Sequence, residues 1–214
     1  ELEQIFQSIQ KVPSDAEHAR IAGIHMEGPF ISPAKKGAQK ESFITQPDVQ
    51  TFTRLNHACK GQIKIITIAP ELPGSMQFIE ELHDAVAISL GHSEADYATA
   101  DKAYQAGANH ATHLFNAMPP LHHRDPGIIG AAADNPHVMV EVICDGIHLN
   151  PSVVRMIFKI FGDNRVVLIS DAMRAMGMED GTYELGGQDV FKKETALPWR
   201  TVRLQALRLI SLTV

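Results

Sequence analysis

Six short runs of apolar, often β-branched residues recur along the chain, and each gives way to polar residues where it stops. The runs cover positions 21–26, 63–69, 85–90, 110–113, 138–143 and 165–170. Their nearly unbroken apolar character predicts strands buried on both faces, as in a parallel sheet. Stretches with helical spacing lie between them, so the chain reads as repeated βα units.

The helices carry their own punctuation. Asn150-Pro151 predicts an N-cap followed by a first-turn proline, with Val153, Val154, Ile157, Phe158 and Phe161 as the buried stripe and Gly162 as the stop. Ser93 with Asp96 reads as a capping box opening a helix that runs to Ala106 and ends at Gly107. Tyr97, Ala100 and Tyr104 fall on its core face. Positions 46–59 and 74–83 read as further helices. No G-x-G-x-x-G or P-loop follows the first strand, which weighs against a nucleotide-binding, doubly wound sheet. Polar signatures at four or more strand ends favour a barrel, which places its chemistry there. The expected fold is α/β, a (β/α)8 TIM-type barrel incomplete at both ends, with residues 1–193 forming the partial barrel domain.

Composition narrows the function. With 214 residues the chain has material for one domain with a large core. A formal charge of -6 and the lack of a basic stripe exclude nucleic acid as the expected partner. No run approaches the roughly 18 apolar residues of a membrane span. The two cysteines, Cys59 and Cys144, stand alone and fit a reducing cytoplasm. The chain starts Glu1-Leu2-Glu3-Gln4, acidic and without Met, which reads as neither a signal peptide nor a natural start. Its 11 histidines, many beside Gly, Asp or Asn, point towards metal or phosphate chemistry.

Glu27, His92 and His113 each stand at or just after a predicted strand end. One carboxylate and two imidazoles, with a position left open for water, suit Zn²⁺ or a similar divalent ion. Each residue alone also fits an ordinary hydrogen-bonded strand end. Asp171 follows the apolar run Val166–Ile169 and Ser170, where it could take a proton from water and pass it to a leaving amine. Spacing equally allows Asp171 to be a helix N-cap. Asn116 could donate to a substrate oxygen, and Arg124 could hold a phosphate through its planar fork or be a surface arginine. His148, in Asp-Gly-Ile-His, reads as a substrate contact, and Lys35-Lys36-Gly37 as an anion-attracting loop or a solvated face.

Seven ordered strings carry a family resemblance: His-Met-Glu-Gly-Pro-Phe, Lys-Lys-Gly-Ala, Gly-His-Ser, Thr-His-Leu-Phe-Asn-Ala-Met, His-His-Arg-Asp-Pro-Gly, Asp-Gly-Ile-His and Ser-Asp-Ala. Together, over about residues 21–190, the chain resembles the N-acetylglucosamine-6-phosphate deacetylases of the amidohydrolase superfamily. The resemblance implies Glu27, His92 and His113 as ligands of one divalent metal, with Zn²⁺ first and Fe²⁺, Co²⁺ or Mn²⁺ as alternatives. It implies Asp171 as general base and acid, and Ala38, Asn116, Ala117 and His148 as substrate contacts. Arg124 matches a phosphate contact supplied across a homodimer interface. The implied reaction is metal-assisted removal of acetate from N-acetyl-D-glucosamine 6-phosphate, a cytoplasmic step of amino-sugar breakdown. The alternatives are deacetylation of the galactosamine epimer, and a non-catalytic remnant that binds metal or sugar phosphate.

Two departures stand against the family pattern. Gln39 occupies a position where the family usually has a substrate-contacting His, so weaker phosphate affinity is expected. The small β-domain and the first barrel strand, often bearing His-x-His, have no counterpart, so a second metal is not expected.

Residues 194–214 match nothing in the family and form a net basic stretch holding the single Trp. Codons can be chosen for residues 194–209 so that the frame displaced by two bases reads N-G-I-A-M-A-D-G-T-L-A-G-S-A-L, which contains the family's next signature. A frameshift near residues 192–194 is the expectation, with a barrel left open at two sheet edges, prone to aggregation and showing little turnover by itself. Sequencing the coding DNA checks this: D-G-T-L-A-G-S is expected in a displaced frame, and its absence from both other frames would refute the frameshift.

Overall fold

The computed structural model describes residues 2–9, 11–12, 15, 19–185 and 188–193, so the 194–214 tail lies outside the described residues. Six parallel strands form one sheet in simple chain order: β1 (Ile24–Glu27), β2 (Ile63–Ile68), β3 (Ala87–Leu90), β4 (His110–Ala111), β5 (Met139–Ile143) and β6 (Val166–Ile169). All six predicted runs are strands. The sequential order has no reversal, and a doubly wound sheet needs one at its switch point. The sheet is instead a curled half-barrel of α/β type. Among the described residues β1 pairs with β2 alone and β6 with β5 alone, so both edges are open.

Helices α1 (Leu2–Ile9), α2 (Val49–Ala58), α3 (Ser75–Leu82), α4 (Tyr97–Gln105), α5 (Gly127–Asp134) and α6 (Pro151–Phe161) complete the βα pattern. Asp48 caps α2 by accepting from the Thr51 N–H, and Asn150 caps α6 by accepting from the Ser152 N–H. The Ser93–Asp96 capping box is not formed. Asp96 is the N-cap, accepting from the Thr99 N–H, and α4 starts only at Tyr97. Ser93 instead donates its hydroxyl to Glu71. The α6 stripe is narrower than expected: Ile157 and Phe161 are buried, whereas Phe158 is exposed because no described element covers that side.

Three elements are absent from the periodicity reading. α5, Gly-Ile-Ile-Gly-Ala-Ala-Ala-Asp, is apolar almost all round and so shows no amphipathic stripe. β7 (Gly181–Leu185) and β8 (Gln188–Lys192) form an antiparallel pair with alternating burial. The period of two was readable in β7, where Tyr183 and Leu185 alternate with Thr182 and Glu184, but not in β8, where Phe191 is exposed and Lys192 buried.

The outward faces of the strands, with Ile66, Ile68, Ile88, Leu90, Val140 and Val142, pack under the helices into one continuous core. Arg165 pins that layer at the foot of β6, donating to the carbonyls of Val138, Ala132 and Asn135. Its guanidinium also stacks over the Phe161 ring. Ile88, fully buried on a central strand, and Leu168, 65% exposed on the edge strand, give opposite expectations. Ile88→Ala should cost about 2–5 kcal/mol in urea unfolding, and Leu168→Ala should stay within about 0.5 kcal/mol.

Candidate functional site

On the inner face of the sheet, registration lines up Glu27, Thr67, Ser89, His110 and Met139 across five strands. Residues two places along from these, Thr112 and Glu141, share that face, as does His25 two places before Glu27. A polar layer results. His25 Nε2 lies 2.7 Å from the Thr67 hydroxyl, which meets Thr112 Oγ1 at 2.7 Å, and that hydroxyl meets Ser89 Oγ at 2.6 Å. Sequence reading missed this layer because Thr and Ser within apolar runs look like ordinary strand residues.

Above it, three side chains converge. His92 Nε2 lies 2.6 Å and His113 Nε2 3.3 Å from the same Glu27 oxygen, Oε1, and the two ring nitrogens are 3.0 Å apart. The ligand atoms of all three residues fall within 4.8 Å of one another. The His92 Nδ1 lies 2.6 Å from the Lys35 carbonyl, which can only accept, so Nδ1 carries the proton. In the neutral ring Nε2 then offers a lone pair, aimed at a carboxylate oxygen. Lone pairs meet lone pairs, an arrangement that a shared cation relieves. The residues therefore fit a divalent metal, and they are the three that the sequence singled out.

In the metal-free chain protonated imidazole nitrogens take the place of that cation. Burial pushes the Glu27 carboxyl up, but hydrogen bonds and charge from His113 and His92 outweigh it and hold the carboxyl well below the usual range. Burial likewise opposes the charged form of His113, yet Glu27 wins and raises it. His113 Nδ1 is buried, with no hydrogen-bond partner among the described residues.

The loops that deliver these groups are held by one another. Ser32 N–H donates to the His92 carbonyl and Ser93 N–H to the Ala117 carbonyl. Glu71, unremarked in the sequence, accepts from the Ser93 hydroxyl and the Glu94 N–H, both at 2.7 Å, and so fixes the Gly-His-Ser turn. His92, His113 and Asp171 all have positive φ, at 47°, 30° and 47°, a region costly for residues with a Cβ and concentrated at functional sites. The Gly of Gly-His-Ser answers to close packing: a Cβ on Gly91 would stand 2.7 Å from the Thr112 Cβ.

Asp171 is not an N-cap, since no described helix follows it. With His25, Glu27, Glu141, Ile169, Ser170 and Ala172 it lines one cavity on the inner face. Burial and then the Glu27 charge raise its carboxyl, against the pull of His113, His148 and His92. His148 Nδ1 lies 2.6 Å from Asp145 Oδ2. Asn116 is not poised as a free donor: its amide nitrogen is bonded to the carbonyls of His113 and Leu114. The Ala38 carbonyl accepts from Gln188 of β8. Gln39 donates to the Glu27 carbonyl, so it braces the metal-ligand loop. Arg124 is exposed in the loop before α5, away from the cavity lining.

Glu141 is 2% exposed, and its Oε1 lies 3.5 Å from His25 Nδ1. This contact is not an ion pair in substance. Burial pushes the Glu141 carboxyl up to about 7, and burial pushes the His25 imidazole down. A carboxyl raised on folding makes the unfolded chain bind fewer protons once pH exceeds the ordinary 4.5, so stability falls as pH climbs towards 7. In metal-free chain Glu141→Gln should flatten that decline, checked by urea midpoints at pH 5 and 7.

The comparisons with known proteins follow this geometry. No family model matches the chain. The N-acetylglucosamine-6-phosphate deacetylase of Bacillus subtilis is 45% identical over 173 residues, covering 80% of this chain and 44% of that protein. The Bos taurus enzyme of the same name is 40% identical over 188 residues, covering 84% and 46%. Among solved structures, the Mycobacterium smegmatis N-acetyl-D-glucosamine-6-phosphate deacetylase superposes with a TM-score of 0.80 at 36% identity, covering 89% of this chain and 49% of that one. An aspartate-to-alanine mutant of that enzyme, solved in complex with N-acetyl-D-glucosamine-6-phosphate, gives a TM-score of 0.81. The chain thus spans about half the length of the curated relatives it matches. Over that half, in motif, fold and sequence, it is a relative of the N-acetylglucosamine-6-phosphate deacetylases.

Proposed function

We propose that the chain carries the site of a metal-dependent N-acetylglucosamine-6-phosphate deacetylase, yielding D-glucosamine 6-phosphate and acetate. One observation carries this reading: Glu27, His92 and His113 present three ligand atoms to one point, and Asp171 lines the cavity that Glu27 also lines. We further infer that the six-stranded sheet is part of a (β/α)8 barrel, since sequential parallel strands with polar groups at their carboxyl ends are the arrangement of that fold. The motifs imply a homodimer in the cytoplasm, and the nitrogen and oxygen donor set suits Zn²⁺.

A bound divalent ion would polarise the acetamide carbonyl and acidify water. Asp171 takes the proton from the attacking water and returns it to the departing amine. Burial of its carboxyl raises its basicity towards the working pH. His148 meets a substrate oxygen. Ala38 and Ala117 meet substrate through their backbones. Asn116 holds the His113 turn and offers its side-chain oxygen. Arg124, which is exposed, meets a phosphate from outside its own cavity.

Metal analysis paired with acetate release from N-acetylglucosamine 6-phosphate tests the reading. About one metal per chain is expected, lost in His113→Asn, with acetate release reduced about 10²–10⁴-fold in Asp171→Asn. Metal bound without any acetate released supports a binding-only protein, and no metal bound refutes the site.

A further inference from the structure

The Asp-Gly-Ile-His loop after β5 holds a pair whose first member has no role so far. Asp145 divides its two oxygens. Oδ1 accepts the backbone N–H groups of Ile147 at 2.8 Å and His148 at 2.9 Å, which closes the turn. Oδ2 lies 2.6 Å from Nδ1 of the His148 ring. The Asp145 side chain is 7% exposed and the His148 side chain 30%, so the carboxylate forms the buried base of the pair and the ring its open end.

Burial alone would push the Asp145 carboxyl up. The N–H groups of His148 and Ile147, with the ring, outweigh burial and hold the carboxyl below its ordinary value. An ionised carboxylate has no proton to give, so the proton in the 2.6 Å contact belongs to Nδ1. The other ring nitrogen, Nε2, takes no part in that contact. His148 is outside the cavity lining but near enough to Asp171 for its charge to act on that carboxyl.

We propose that Asp145 is the positioning residue of the site: it locks His148 in the Nδ1–H form, so the neutral ring presents Nε2 as an acceptor. This rests on the deacetylase reading for the identity of the oxygen that His148 meets. It also constrains that reading. A neutral His148 accepts from a sugar hydroxyl, and only the doubly protonated ring, steadied by Asp145, donates to an acetamide oxygen as negative charge develops there. The logic is that of any histidine whose second nitrogen is fixed by a buried carboxylate.

Asp145→Asn separates this role from turn formation. Asn keeps a carbonyl oxygen for the Ile147 and His148 N–H groups but places an N–H₂ where Oδ2 stood, so the ring must accept there and carry its proton on Nε2. The full chain, labelled with ¹⁵N-histidine, is examined by NMR at a pH where the ring is neutral, with His148→Gln identifying the His148 signals by their loss. The wild-type chain should show protonated Nδ1 and unprotonated Nε2, and Asp145→Asn should reverse them in a chain that still unfolds cooperatively, at a somewhat lower temperature. In the acetate-release assay the same variant should lose about 10–100-fold in kcat, with KM little altered. Protonated Nε2 and bare Nδ1 in the wild-type chain would overturn the proposal, whether or not the variant folds. Unchanged His148 signals in Asp145→Asn would overturn it too. If wild-type chain releases no acetate, its reading as a working deacetylase fails while the tautomer arm still decides the role of Asp145.

Discussion

Glu27 Oε1 stands between two imidazole nitrogens that are themselves 3.0 Å apart, and every other feature of the site serves that convergence. Three electron-rich atoms at such distances repel unless a positive charge is shared among them. In a partly dry pocket that repulsion is large, because the local dielectric is far below that of water. A protein holds such an arrangement only where its framework is stiff. Here the framework is a parallel sheet whose strands bring Glu27, His92 and His113 to one end although 86 residues separate the outermost two.

Stiffness comes from two sides. Below the ligands, hydroxyls of Thr67, Thr112 and Ser89 join three strands across the inner face, with His25 and Glu141 extending the layer to two more. The neighbouring carboxyl and imidazole both shift towards neutrality, so this layer adds little charge beneath a site that is already acidic. Around the ligands, loops brace loops: Lys35 fixes the His92 tautomer, Glu71 fixes the Gly-His-Ser turn, and Gln39 holds the Glu27 backbone. These contacts sustain positive φ at His92, His113 and Asp171, conformations that isolated turns would not hold.

Part of this was open to inspection in the chain. The six strands announce themselves as short apolar runs, because a parallel strand buried on both faces needs no polar alternation. The cap at Asn150 follows from local chemistry, since its side-chain oxygen reaches the N–H two places on. Ser93 shows the limit of that reasoning. Its hydroxyl has a local use as a cap and a distant one with Glu71, and tertiary packing selects the distant one. Phe158 shows another, because helical spacing marks an apolar face without saying that anything covers it.

The residue types of the site, and their places at strand ends, belong to the sequence: one carboxylate, two imidazoles, an aspartate after an apolar run. Tertiary structure alone decided that His92 and His113 meet the same oxygen of Glu27, that Asn116 spends its amide on its own turn, and that Asp145 faces the ring of His148. The reason is geometric. Strand propensity and apolar pattern are local and survive in a linear reading, whereas a contact within 3 Å depends on register, curl and loop conformation summed over distant segments.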